Sequence, residues 1–117
     1  MHYALLLHGP ENLGETPSEM TEEMSLRWQA FFEGAAADGV LVSRVPLFST
    51  DHASTIRVRD GERLVTDGPF AETKEQLGGL VVLDLPDLST AIEYAGRMPC
   101  VDAGSVEIRP VLQPPQT

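Results

Sequence analysis

At 117 residues and 42% hydrophobic content, the chain is sized for one folded domain with one core, not for a disordered polymer or two domains. Its formal net charge of −10 repels a phosphate backbone, so no direct nucleic-acid binding is expected. No apolar run approaches the roughly 20 residues that span a bilayer, so no membrane partner is expected either.

The chain opens on MHYALLLHGPE, whose apolar run is too short for a signal peptide and has no basic leader; a cytoplasmic location is expected. Residues 2–8, HYALLLH, read as a strand apolar on both faces, the pattern of a central strand. A loop rich in Gly, Pro and Asn follows, and then TPSE supplies Thr16 as N-cap, Pro17 at the first helical position and Glu19 three residues after the cap. The predicted helix carries Met20, Met24, Trp28, Phe31 and Ala35 as one apolar stripe and stops at Gly39. Residues 40–46 read as a second strand. STIRVR alternates over 54–59, and Asp60-Gly61 turns it tightly into residues 62–66, a hairpin. Residues 80–85 form the next strand. Pro86-Asp87 then opens a second helix with Leu88, Ala91, Ile92 and Ala95 as its buried stripe, ended by Pro99. Residues 105–111 are the last strand, giving one domain over 1–112 and a frayed tail over 113–117.

Setting the hairpin aside leaves βαββαβ, an α+β, ferredoxin-like arrangement with both helices on one face of an antiparallel sheet. If Tyr3, Leu5, Leu7, Val81 and Leu83 face the helices, then Ala4, Leu6, Leu80 and Val82 lie on the other side. A sheet that is apolar on its uncovered face finds a partner, so a homodimer with two sheets face to face is expected.

Residues 66–79, TDGPFAETKEQLGG, join the hairpin to the next strand. Asp67 suits an Asx-type turn, Gly68 unusual dihedrals, Pro69 the first turn of a helix and Phe70 an apolar plug. Residues 71–77 are read as roughly two helical turns with Glu72, Glu75 and Gln76 along one edge, and Gly78-Gly79 as a sharp return to the sheet. The predicted unit is a capped elbow that places carboxylates at a sheet edge.

DGPFAETKEQLGG resembles the signature of the DGPF group of YCII-related (YciI-like) proteins. HYALLLHG, TIRVRDGERLVTDGPF, LVVLDLPDL and SVEIRPV are similar to that group's pattern over nearly the whole chain. The resemblance implies a dimeric α+β barrel of ferredoxin-like protomers with a cleft in each. It implies much less about activity, because the group has no agreed reaction. Fold kinship with dimeric barrels such as muconolactone isomerases and a chlorohydroquinone dehydrochlorinase suggests small-molecule chemistry by analogy. Some relatives are associated with extracytoplasmic-function sigma factors, which points instead to regulation. The YciI-type branch carries a histidine in the first helix and an aspartate before a proline after the second. Trp28 and Met98 stand near those positions here, so that branch's chemistry is not carried over.

Each candidate residue has a structural alternative. His8 ends the first strand, where an imidazole can act as general acid or base, or simply bond a loop carbonyl. Arg57, Arg59, Glu107 and Arg109 share the polar parity of their strands. Arg57 or Arg109 can fork onto an anionic ligand, or either can pair with a carboxylate such as Glu107. Asp67 and Glu72 are candidate catalytic carboxylates, and equally turn and cap residues. Trp28 and Phe70 are core aromatics or walls of a ligand pocket. Cys100, the single cysteine, allows no internal disulfide and has no histidine nearby in sequence to activate it. The three histidines are scattered, there is no phosphate-cradling or dinucleotide motif, and neither a metal nor a cofactor is expected. The expectation is therefore a homodimer that binds a small anionic or aromatic molecule. Its chemistry would be cofactor-free isomerisation or elimination, the alternative being a non-catalytic sensor or accessory module.

Overall fold

The structure, a computed structural model, describes residues 1–10 and 21–112. In chain order its elements are β1 (His2–Gly9), α1 (Glu22–Ala37), β2 (Leu41–Pro46), β3 (Ser54–Arg59), β4 (Glu62–Asp67), β5 (Gln76–Asp84), α2 (Leu88–Gly96) and β6 (Ser105–Pro110). Four strands form one antiparallel sheet in the order β2-β5-β1-β6, and β3 and β4 pair only with each other. This is the ferredoxin-like α+β arrangement with an inserted hairpin.

The two-sided apolar strand takes the central place that its composition requires. Tyr3 and Leu5 of β1 and Val81 and Leu83 of β5 are buried beneath the helices, against Phe31 and Ala35 of α1 and Ala91, Tyr94 and Ala95 of α2. Each fully buried Leu or Val there contributes roughly 1.5–3 kcal/mol. Ala4, Leu6, Leu80 and Val82 lie on the opposite parity and are only half-buried. No helix among the described residues is long and apolar enough to cross a membrane.

Local chemistry sets the helix ends. The Thr21 hydroxyl oxygen accepts a hydrogen bond from the Met24 N–H at 3.1 Å, so α1 starts at Glu22. The predicted cap at Thr16, with Pro17, Glu19 and Met20, lies outside the described residues, as does the tail over 113–117. Gly39, at φ 74°, ends the helix as expected. Asp87 caps α2, accepting from the Thr90 N–H at 2.8 Å and the Thr90 hydroxyl at 2.7 Å, and these bonds hold its carboxyl below the usual range.

Two expectations need correction here. The buried stripe of α2 is Ala91, Tyr94 and Ala95, while Leu88 and Ile92 are exposed. The Tyr94 ring is drawn inward because its hydroxyl donates to the Asp38 carboxylate at the end of α1, a bond that raises the phenol's pKa. The expected helix over 71–77 is also absent: residues 71–75 run as bends and irregular backbone, and β5 already begins at Gln76.

The hairpin turns as predicted. Asp60 and Gly61 take φ of 51° and 78°, the paired left-handed conformation of a tight two-residue turn. Ile56 faces Val65 across the ribbon, yet Ile56, Val58 and Val65 are 64%, 69% and 61% exposed. The hairpin therefore forms on its turn chemistry without cover for its apolar face.

Candidate functional site

A cleft of about 500 Å³ opens at the C-terminal end of β1, between α1, the strands β2 and β5, and the turn at Pro99–Asp102. Its volume lies within the range of small-molecule sites. From α1 come Met24, Trp28 and Phe32, spaced four apart on one helix face, and from the sheet come Leu7 and Val81. Trp28 and Phe32 stack with ring centres 5.7 Å apart and planes 19° from parallel.

Two glycines shape the sheet side of this cleft. Opposite the step from Leu7 to His8, β5 carries one extra residue, Gly78, a bulge that redirects the end of β1. At Gly79 a Cβ would stand 2.9 Å from the Val45 carbonyl oxygen, so only glycine lets β2 approach this closely. The pair thus serves strand geometry within β5 instead of the predicted sharp turn.

His8 lines the cleft, and its Nε2 is buried, 3.5 Å from Glu107 Oε1, without making a hydrogen bond. Glu107 accepts from the Arg109 Nε–H, which holds the Glu107 carboxyl below its ordinary range and raises the Arg109 pKa in turn. A carboxylate facing Nε2 favours the tautomer protonated there and leaves Nδ1 as the basic nitrogen.

Asp67 and Glu72 stand elsewhere, in a polar depression of about 450 Å³ shared with Asp51 and Thr73. Gln76 lines both hollows. Its side-chain amide donates to the carbonyls of Ala71 and Thr73, each at 3.2 Å, and the Thr73 hydroxyl donates to the Glu75 carbonyl. The Ser105 hydroxyl donates to the Glu75 carboxylate at 2.8 Å, tying the elbow to β6. The elbow is thus held by side-chain bonds to loop carbonyls and not by a helix.

The sequence-derived set is therefore divided. His8 and Trp28 both line the cleft, and Asp67 and Glu72 share the neighbouring depression. Arg57 donates to the Phe70 carbonyl at 3.1 Å, Arg109 serves Glu107, and neither lines either hollow. Phe70, expected as a plug, is 78% exposed, because the bends after Pro69 turn its ring outward. Cys100 lines the cleft, and burial pushes its thiol up to about 11, which keeps it protonated and unreactive. Sequence reasoning passed over Phe32 and Arg44, and placed Gln76 only along the edge of the elbow. Phe32 follows Trp28 by four residues, so its place on the same face was available from helical spacing.

The family model described as YCII-related domain matches residues 1–114. An uncharacterized protein of Rhizobium meliloti (strain 1021) is 35% identical over 117 aligned residues, covering 95% of this chain and 92% of that relative. The chain belongs to the YCII-related domain family.

Proposed function

We propose that this YCII-related chain works as a cytoplasmic homodimer that binds a small anionic or aromatic molecule in the cleft beside His8. The observation that carries the proposal is the cleft itself: about 500 Å³, walled by Trp28 and Phe32 and with His8 in its lining. As an enzyme it would perform cofactor-free proton transfer, of the isomerase or lyase kind. His8 Nδ1 would take the proton from a carbon acid and return it at another position, while Glu107 keeps Nε2 protonated.

Pairing of protomers is supported by the half-buried face at Leu6 and Val82, which neither α1 nor α2 covers, and by the exposed hairpin ribbon. Across the hairpin, residues 54–67, Arg57, Arg59 and Arg63 balance Asp60, Glu62 and Asp67, so the ribbon is neutral in a chain of net charge −10. A neutral ribbon adds no net repulsion when laid on the acidic body of a second copy.

A second reading, a sensor without chemistry, has its own support. The cleft's thiol is held protonated, and Glu72 stands in the other hollow. One experiment separates the two. The wild type, His8→Ala and Glu72→Gln are incubated with enolisable aromatic keto acids in D₂O, and carbon-bound deuterium is followed by mass spectrometry. Exchange that disappears in His8→Ala supports the enzyme. Binding without exchange in the wild type supports the sensor, and neither binding nor exchange overturns both.

A further inference from the structure

Among the described residues, the charge lining the cleft is the reverse of the chain's. Eighteen Asp and Glu residues stand against eight Lys and Arg. Yet no Asp or Glu is among the described residues that line the cleft, and the one arginine or lysine there is Arg44. Arg44 faces Val81 in register, which sets it on the helix-covered side of the sheet. Its guanidinium carbon lies 3.8 Å from the centre of the Phe32 ring, the ring that stacks on Trp28.

The manner of holding Arg44 matters. A carboxylate partner would cancel its charge, as Asp102 does for Arg27 and Glu107 for Arg109. An aromatic face positions a guanidinium and leaves both its charge and its in-plane N–H fork available. Among the described residues Arg44 has no acidic partner within ion-pair distance.

We infer that Arg44 anchors the ligand, and that the class taken is a planar aromatic acid bearing one carboxylate, its ring against Trp28 and Phe32. This rests on the cleft being a ligand site, as proposed above. It transfers the anion-holding role from Arg57 and Arg109 to a residue on β2. With one guanidinium and no acid among its described lining residues, the site favours a monoanion over a neutral or cationic analogue of the same shape.

Calorimetric titration with 2-naphthoate and 2-naphthamide, near-isosteres that differ in charge, tests it. On the wild type the carboxylate is expected to bind at least about tenfold more tightly. The preference should fall to near unity in Arg44→Met and stay unchanged in Arg97→Gln, outside the cleft. Arg44→Lys, which keeps the charge but loses the fork, should fall between. Equal binding of both compounds to the wild type, or a preference that survives Arg44→Met, overturns the inference and leaves the ligand site standing. Binding of neither compound at millimolar concentration overturns the ligand site as well.

Discussion

Gly104 is pressed against the carbonyl of His8: a Cβ built on it would stand 2.1 Å from that oxygen and 2.9 Å from the Gly9 Cα. The contact fixes where β1 ends, and His8 is the residue opposite Ser105 in the β1–β6 register. The Gly104 N–H donates to the Cys100 carbonyl at 2.9 Å, so the turn after α2 and the tip of β1 form one packed wall of the cleft.

Gly104→Ala should therefore destabilise the fold by roughly 1–3 kcal/mol through overpacking against backbone that cannot swing aside. Gly34→Ala is the internal control. Gly34 lies within α1, nothing stands within 4 Å of its would-be Cβ, and the change should be neutral or stabilising by up to about 1 kcal/mol. Urea denaturation of the two variants checks the contrast.

The Glu107 carboxyl is depressed by the Arg109 hydrogen bond. A depressed carboxyl contributes stability above its unfolded pKa and loses it as pH falls through the folded value, so the loss belongs to acid below the usual carboxylate range. Both side chains are solvent-accessible and the effect will be small and salt-sensitive. Urea midpoints of wild type and Arg109→Gln should differ above that range and converge in acid. At neutral pH Glu107 stays ionised, and ¹⁵N NMR should find neutral His8 as the Nε2–H tautomer in the wild type. That preference should relax in Glu107→Leu.

Val58 is 69% exposed on the hairpin, so Val58→Lys removes no packing within the protomer. If the ribbon lies on a second copy, the substitution should shift sedimentation toward monomer while the far-UV spectrum is unchanged. An unaltered dimer would place the contact elsewhere.

With its pKa raised to about 11 by burial, Cys100 should resist alkylation in the folded protein. At pH 8 its iodoacetamide rate should fall below that of a free cysteine by on the order of a hundredfold. Urea should restore the ordinary rate.

The sequence read well where one local rule decided the outcome. HYALLLH had to be central because both faces are apolar, Asp60-Gly61 had to turn because both residues accept positive φ, and Asp87 had to cap. It read poorly where a distant partner decided. Tyr94 displaced Ile92 from the buried stripe because Asp38 lies within reach of its hydroxyl. The elbow avoids a helix because Gln76 bonds the carbonyls of Ala71 and Thr73 from the start of a strand. His8 and Trp28 were legible as candidates from position and type. Arg44 was not, because its meaning comes from Phe32 on another element and from the absence of acids among the cleft's described lining.

Native mass spectrometry of the purified chain with 2-naphthoate addresses the pairing of protomers and the occupied cleft together. The predicted spectrum is a dimer carrying up to one naphthoate per protomer. A monomer, or a dimer that takes up none, would contradict the account.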